Sequence, residues 1–261
     1  MKHFTRFLSL FFAAAMLLTM AACGSKNTDP DTDTKTGSEK KQLVVATSPD
    51  FPPYESLENN ESVGIEVDIM DLIAQDLGMT VKYEQMDFDS VIPGVQAGKF
   101  DVGMSGITIT ADRQKNCDFT QPYFLASQAI VVTPDSPITC KADLEGKKVS
   151  VQTGTTAEEY CMDNGYEVLA FTANNDAASA LTTGKVDAWV VDNEVAVALA
   201  AQQGLTVLDE AMTSEPYAFA FAKGSDELVS SFNASLKKLM DDGSIQEIFD
   251  KYGVLYVAPE A

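Results

Sequence analysis

Ile92–Asp101 reads IPGVQAGKFD, and Ala178–Asp187 reads ASALTTGKVD. Each runs as a helical segment, a Gly stop, a Lys, and a strand with Asp near its start: Gly98-Lys99-Phe100-Asp101 in one, Gly184-Lys185-Val186-Asp187 in the other. Glycine closes a helix because it enters left-handed backbone without steric cost. The strand after the first copy leads into Ser105-Gly106-Ile107-Thr108, and the strand after the second into Val191-Asp192-Asn193. A single Gly-Lys turn is commonplace, but two placed alike in two halves of alternating strands and helices point to two lobes of like design. Open α/β sheets hold ligands beyond the carboxyl ends of their strands, so two such edges facing each other frame a cleft.

The flanking sequence has the same alternation. Leu43–Thr47 (LVVAT) is a short apolar run expected as a buried strand. Val67, Met70, Ile73, Ala74 and Leu77 repeat at helical spacing and end at Gly78, which predicts a helix over Glu66–Leu77. Val81–Gln85 alternates as a strand, Asp89 is expected to cap a helix ending near Gly98, and Phe100–Ser105 reads as a strand. The second half gives strands at Val149–Gln152, Glu167–Phe171 and Val186–Val191, with helices from Thr155, over Asp176–Thr183 and over Asn193–Gln203. Tyr217–Ala222 reads as one strand, and helices over Asp226–Met240 and Ile245–Tyr252 follow. Such alternation predicts an α/β fold with parallel strands and crossover helices.

The N-terminus carries an address. Lys2 and Arg6 precede a 14-residue apolar run, Phe7–Met20, too short for a spanning helix and fitted to an export signal. Small residues then lead to Cys23, a pattern resembling a lipobox, so residues 1–22 read as a signal peptide and Cys23 as a lipidated N-terminus that tethers the protein outside the cytoplasm. Residues 24–42 contain no aliphatic or aromatic side chain, and 23–42 read as lipidated Cys plus flexible linker. Asp29, Asp31 and Asp33 alternate like a calcium loop, but Thr34 and Lys40 stand where that loop needs Gly and Glu, so the linker reading prevails.

Composition narrows the chemistry. The 261 residues hold 39 Asp and Glu against 18 Lys and Arg, a net charge of −21, which argues against a nucleic-acid partner. The only histidine is His3, inside the signal, so the exported chain has no imidazole base or metal ligand and no metal or cofactor is expected.

After signal removal Arg113 is the only arginine. A guanidinium grips a carboxylate through two parallel hydrogen bonds, and Arg113 follows a strand end in GITITADR, where Thr110 can cap the next helix. Without further context it is equally well a lone surface arginine. Gln152-Thr153-Gly154-Thr155-Thr156 is a polar turn between strand and helix, either a second anion contact or plain capping by Thr155 or Thr156. Asp192 ends an apolar strand; it either caps a turn or meets an ammonium. Arg113 and Asp192 together match the two charges of a free amino acid. Phe51, Tyr54 and Phe88 are either pocket walls or core.

SPDFPPYE (48–55), GIEVDIMDLIAQDLG (64–78), the stretch MDFDSVIPGVQAGKFDVGMSGITITADRQKNCDFTQPYF (86–124), VSVQTGTTAEEY (149–160) and KVDAWVVDN (185–193) resemble, block by block and in order, the solute-binding proteins of polar amino-acid ABC importers, family 3. The resemblance runs from about Leu43 to the C-terminus. It implies a type II periplasmic-binding-protein-like fold with two crossing hinge strands, near 125–130 and 213–218, and a discontinuous first lobe: 43–126 with 216–258, the second being 127–215. It implies that Arg113 holds the ligand α-carboxylate with Gly106, Thr108 and Thr156 beside it, and that Asp192 receives the α-ammonium. Phe51 and Phe88 are implied as walls, Ser48 and Gln152 as selectivity positions. Ser48 departs from the Asp common in binders of basic amino acids, and no second arginine awaits an acidic side chain, so a neutral polar amino acid is expected. The implied protein is a monomer that delivers this ligand to a permease and is not an enzyme. A cyclohexadienyl dehydratase on the same fold is the alternative, although the absence of His leaves only carboxylates or tyrosines as general acid. Cys117, Cys140 and Cys161 leave at least one thiol unpaired; a Cys140–Cys161 disulfide within the second lobe is the expected pairing.

Overall fold

In the computed structural model, residues 41–259 are described. The signal peptide, Cys23 and the acidic alternation at Asp29–Asp33 lie outside the described residues. The linker ends slightly earlier than expected, since Gln42 already belongs to the first strand. Among the described residues no helix is long and apolar enough to cross a membrane.

The chain runs β1 (Gln42–Thr47), β2 (Ser56–Glu58), β3 (Glu61–Val63), α1 (Ile65–Asp76), β4 (Thr80–Gln85), α2 (Phe88–Gln96), β5 (Val102–Gly103), α3 (Ala111–Gln114), β6 (Cys117–Phe119) and β7 (Phe124–Ala126). It continues through β8 (Gln128–Val132), β9 (Lys148–Gln152), α4 (Thr156–Asp163), β10 (Glu167–Phe171), α5 (Asn174–Thr182), β11 (Ala188–Asp192), α6 (Asn193–Gln203) and β12 (Thr206–Val207). It returns through β13 (Glu215–Tyr217) and β14 (Ala220–Ala222) and ends in α7 (Asp226–Asp241) and α8 (Ser244–Lys251).

Two five-stranded sheets result, ordered β4-β1-β5-β14-β6 and β10-β9-β11-β8-β12. They share one plan: three parallel strands, then an antiparallel strand, then a last strand antiparallel to that. In each sheet the fourth strand arrives by crossing from the other lobe. The crossings themselves pair as a ribbon, with Glu215 opposite Ala126 and Tyr217 opposite Phe124. The fold is thus the two-lobed α/β architecture with two crossing strands.

The sequence echo is an architectural joint. Gly98 and Gly184 both have left-handed φ, +67° and +70°. The Asp three places after each makes a two-point clamp on the middle of the three parallel strands of its own sheet, β1 or β9. Asp101 donates its N–H to the Val44 carbonyl (2.9 Å) and accepts the Val44 N–H on Oδ2 (2.8 Å). Asp187 does the same with Lys148, at 2.7 and 2.9 Å. Because the Asp three places after each Gly serves this clamp, the strands begin at Val102 and Ala188, later than their apolar patterns suggest.

Both sheets are covered on both faces. Leu43, Val45 and Val102 pack with α1, α7 and α8, while Ala46 and Ala220 face Phe88 and Val91 of α2. In the second lobe Trp189 lies among α5 and α6, and Val149, Val151 and Val190 face α4. Each such fully buried Val or Leu side chain contributes about 1.5–3 kcal/mol, the alanines less. Tyr54, Phe124 and Tyr217 carry the core through the hinge ribbon.

Several expectations need correction. Tyr217–Ala222 is two strands, since the chain leaves the hinge ribbon at Tyr217 and joins the first sheet at Ala220. The N-cap of α2 is Asp87, and Asp89 sits in its first turn. The three described cysteines are all free. Cys161 is buried against Ile130, Leu144 and Val149, while the Cys140 side chain faces Asp143 at the start of a short 3-10 helix, so the expected Cys140–Cys161 disulfide does not form.

Candidate functional site

The strand ends of the two lobes enclose a cavity of about 360 Å³, its open mouth included. That lies in the range of small-molecule sites. Phe51, Phe88, Gly106, Thr108 and Arg113 line it from the first lobe; Gln152, Thr156 and Asp192 line it from the second. Eight of the nine expected ligand positions therefore converge there. Ser48 does not: it is buried, and its hydroxyl donates to Asp50 Oδ1 at 3.1 Å. Tyr54 is also withdrawn, fully buried with its hydroxyl donating to Glu194 of the opposite lobe at 3.1 Å.

Arg113 is placed by its short helix. Thr110 caps α3 by accepting the Arg113 N–H at 3.2 Å. Nη1 donates to the Thr108 carbonyl (3.0 Å), Nη2 crosses to the Gly154 carbonyl of the second lobe (3.1 Å), and the guanidinium lies over Phe88, 5.7 Å from the ring centre. These contacts fix the orientation of the planar guanidinium fork, whose geometry suits a carboxylate.

Asp192 closes β11 and is 8% exposed. The Tyr217 hydroxyl donates to its Oδ2. Burial, reinforced by the nearby Glu215 carboxylate, pushes Asp192 up to about 8, against the pull of Tyr217 and Arg113. A desolvated carboxylate of this kind is stabilised by an arriving cation.

Gly106 faces the cavity, but its N–H is committed to Glu66 Oε2 at 2.8 Å. Its φ is +52°, and a Cβ there would stand 2.4 Å from the Phe51 ring. Behind it sits a buried acidic pair. Glu66 also accepts the Tyr123 hydroxyl and Glu55 the Ser105 hydroxyl, while burial and the neighbouring Glu66 carboxylate push Glu55 well above the usual range.

Residues 43–254 match the family described as bacterial extracellular solute-binding proteins, family 3. The chain belongs to that family. Among curated relatives of this solute-binding protein, the arginine-binding extracellular protein ArtP of Bacillus subtilis is 31% identical over 95% of this chain and 97% of its own length. The ABC transporter glutamine-binding protein GlnH of the same organism is 30% identical over 96% and 97%. Among solved structures, an ancestral arginine-binding protein bound to glutamine aligns with a TM-score of 0.78 at 39% identity, over 82% of this chain and 98% of that one.

Two features of this family-3 chain are absent from the sequence reading. Glu215, 4% exposed in hinge strand β13, accepts the Thr108 hydroxyl from one lobe (2.7 Å) and the Thr156 hydroxyl from the other (3.0 Å). Its position inside the expected crossing 213–218 was the available signal. Asn174, fully buried at the start of α5, lines the cavity as well. Among the described residues no group of three or more His, Cys, Asp or Glu side chains is placed to hold a metal ion.

Proposed function

We propose that this protein is an extracytoplasmic receptor that closes on one free amino acid and hands it to the permease of an ABC importer. The observation that carries this reading is the pair of opposite charges, Arg113 and Asp192, lining one cavity from two lobes. Arg113 takes the α-carboxylate with Thr108, Thr156 and Gly106 beside it; Asp192 takes the α-ammonium; Phe51 and Phe88 flank the side chain. The lobes are 43–126 with 216–258 and 127–215, and the chain works as a monomer held to the membrane by lipid on Cys23 after removal of residues 1–22. Closure follows from contacts available to the zwitterion only when both lobes meet around it.

The ligand side chain is neutral and polar. Ser48 carries no charge, and the Asp50 carboxylate beside it is already engaged by Ser48, Gln152 and the Asn174 backbone. The names of the relatives, arginine-binding and glutamine-binding, support an amino acid of this size. A cationic side chain is the second reading, favoured by the extra buried carboxylate of Glu215.

A thermal-shift screen of the ligand-free protein against the twenty amino acids tests this. Glutamine is expected to stabilise strongly; at a hundredfold excess over Kd the gain is about 2.7 kcal/mol. Stabilisation by arginine, lysine or histidine alone would favour the second reading, and no shift with any amino acid would contradict both. In Arg113→Ala, calorimetry is expected to show affinity lower by about three orders of magnitude, since breaking a buried pair costs about 3–5 kcal/mol. Incubation with prephenate is expected to yield no phenylpyruvate; turnover would favour the dehydratase.

A further inference from the structure

Of the buried side-chain polar atoms without a hydrogen-bond partner among the described residues, one belongs to a cavity-lining side chain: Asn174 Oδ1. Its identity as an oxygen follows from the network around it. Asp50 offers only acceptors. The Gln152 amide lies 3.3 Å from both Asp50 oxygens and 3.0 Å from the Thr172 carbonyl, so the atom facing these three acceptors must be the NH₂ group. Gln152 Oε1 is then fixed on the other side, where it accepts from the Asn174 amide at 3.1 Å. That amide also faces the Asp50 carbonyl, 3.5 Å away. With its NH₂ so placed, Asn174 presents a carbonyl oxygen elsewhere. Reversing either amide would set oxygen against oxygen. Asp50 further holds the Asn174 backbone N–H at 2.8 Å, pinning the start of α5 across the cleft. One carboxylate thus sets the polarity of two amides in series.

We propose that Asn174 is the specificity-determining residue of the cavity, its side-chain carbonyl reading an N–H donor on the ligand side chain, and that Asp50 is the positioning residue that aims it. This rests on the amino-acid reading above and deepens it. The chemistry selected is a side chain ending in N–H, a carboxamide or a nitrogen cation. A carboxylate end would meet the Asn174 oxygen with repulsion, and a hydrocarbon end would leave a buried acceptor unpaired, which costs about tenfold to a hundredfold in affinity.

The test uses matched ligands and calorimetry on the protein lacking its signal peptide. L-Glutamine is compared with its methyl-ketone isostere, in which CH₃ replaces the side-chain NH₂, and L-arginine provides the cationic arm. The wild type is expected to bind glutamine or arginine at least tenfold tighter than the ketone. Asn174→Ala is expected to bring that ratio below threefold while the ketone affinity changes less than threefold. Asp50→Asn, which frees both amides to reverse, is expected to lower the same ratio without contacting the ligand. A merely structural role would weaken all three ligands together and leave the ratio intact, which would overturn the proposal, as would a wild-type ketone affinity equal to that of glutamine and arginine. If amino acids bind but the ratio does not depend on Asn174, only this inference falls; if none binds, the amino-acid reading falls with it. Should Asn174→Ala unfold, Asn174→Ser, which keeps a small polar residue at the start of the helix, carries the same comparison.

Discussion

Asp192, the proposed partner of the ligand ammonium, is a buried acid at the cavity wall. Its carboxyl is buried beside Glu215, which pushes it up to about 8. Below the ordinary aspartate range near 4 both folded and unfolded chains hold the proton. Between there and about 8 the folded chain keeps a proton the unfolded chain has lost, so stability falls as pH rises through this window and levels off above it. Asp192→Asn removes that dependence while keeping an acceptor for Tyr217. It is expected to stabilise the ligand-free protein at pH 8 by about 1–3 kcal/mol, to flatten its Tm profile from pH 5 to 8, and to abolish the ligand-induced Tm rise. An unchanged pH profile in the variant would show that Asp192 is not the group responsible. At this scale the sequence was readable where residue types are rare. A lone arginine stands out, whereas Glu215 and Asp50 are two acids in an acidic chain, and only the fold reveals that one bridges two threonines and the other orients two amides. Ser48 lies off the cavity lining, and the polar influence at that strand end comes from Asp50, two places on.

Among elements, the turn after β5 carries the most constraint. Gly106 combines left-handed backbone with the close approach of Phe51, and its N–H anchors on Glu66 at the start of α1. Gly106→Ala must strain the backbone and displace the ring. A loss of about 2–4 kcal/mol in urea unfolding, with weaker ligand binding, is expected; a variant as stable as the wild type would mean that the turn relaxes freely. The helix–Gly–Lys–strand–Asp unit was legible because it repeats, and its purpose, a clamp on the middle parallel strand, is the same in both lobes. The hairpin β2–β3 went unread because its turn, Asn59-Asn60, uses two asparagines at positive φ with few apolar residues around it. The break between β13 and β14 went unread because Tyr217–Ala222 is apolar throughout, Tyr217 serving the hinge core and Ala220 the sheet.

Across the whole molecule, the lobes meet through contacts that need no ligand: Arg113 to Gly154, Asp50 to Asn174, Tyr54 to Glu194. These define a closed arrangement whose population, on the function proposed above, an amino acid raises by bridging Arg113 and Asp192. In solution scattering the radius of gyration is expected to fall when saturating ligand is added to the wild type and to stay constant with Arg113→Ala. Contraction of that variant at the same ligand concentration would separate closure from the charge pair.

The most direct measurement is a crystal structure of the protein with its bound amino acid. The account predicts the α-carboxylate on the Arg113 guanidinium and the α-ammonium within hydrogen-bond reach of Asp192. A ligand seated elsewhere, or one whose ammonium is held without Asp192, would contradict it.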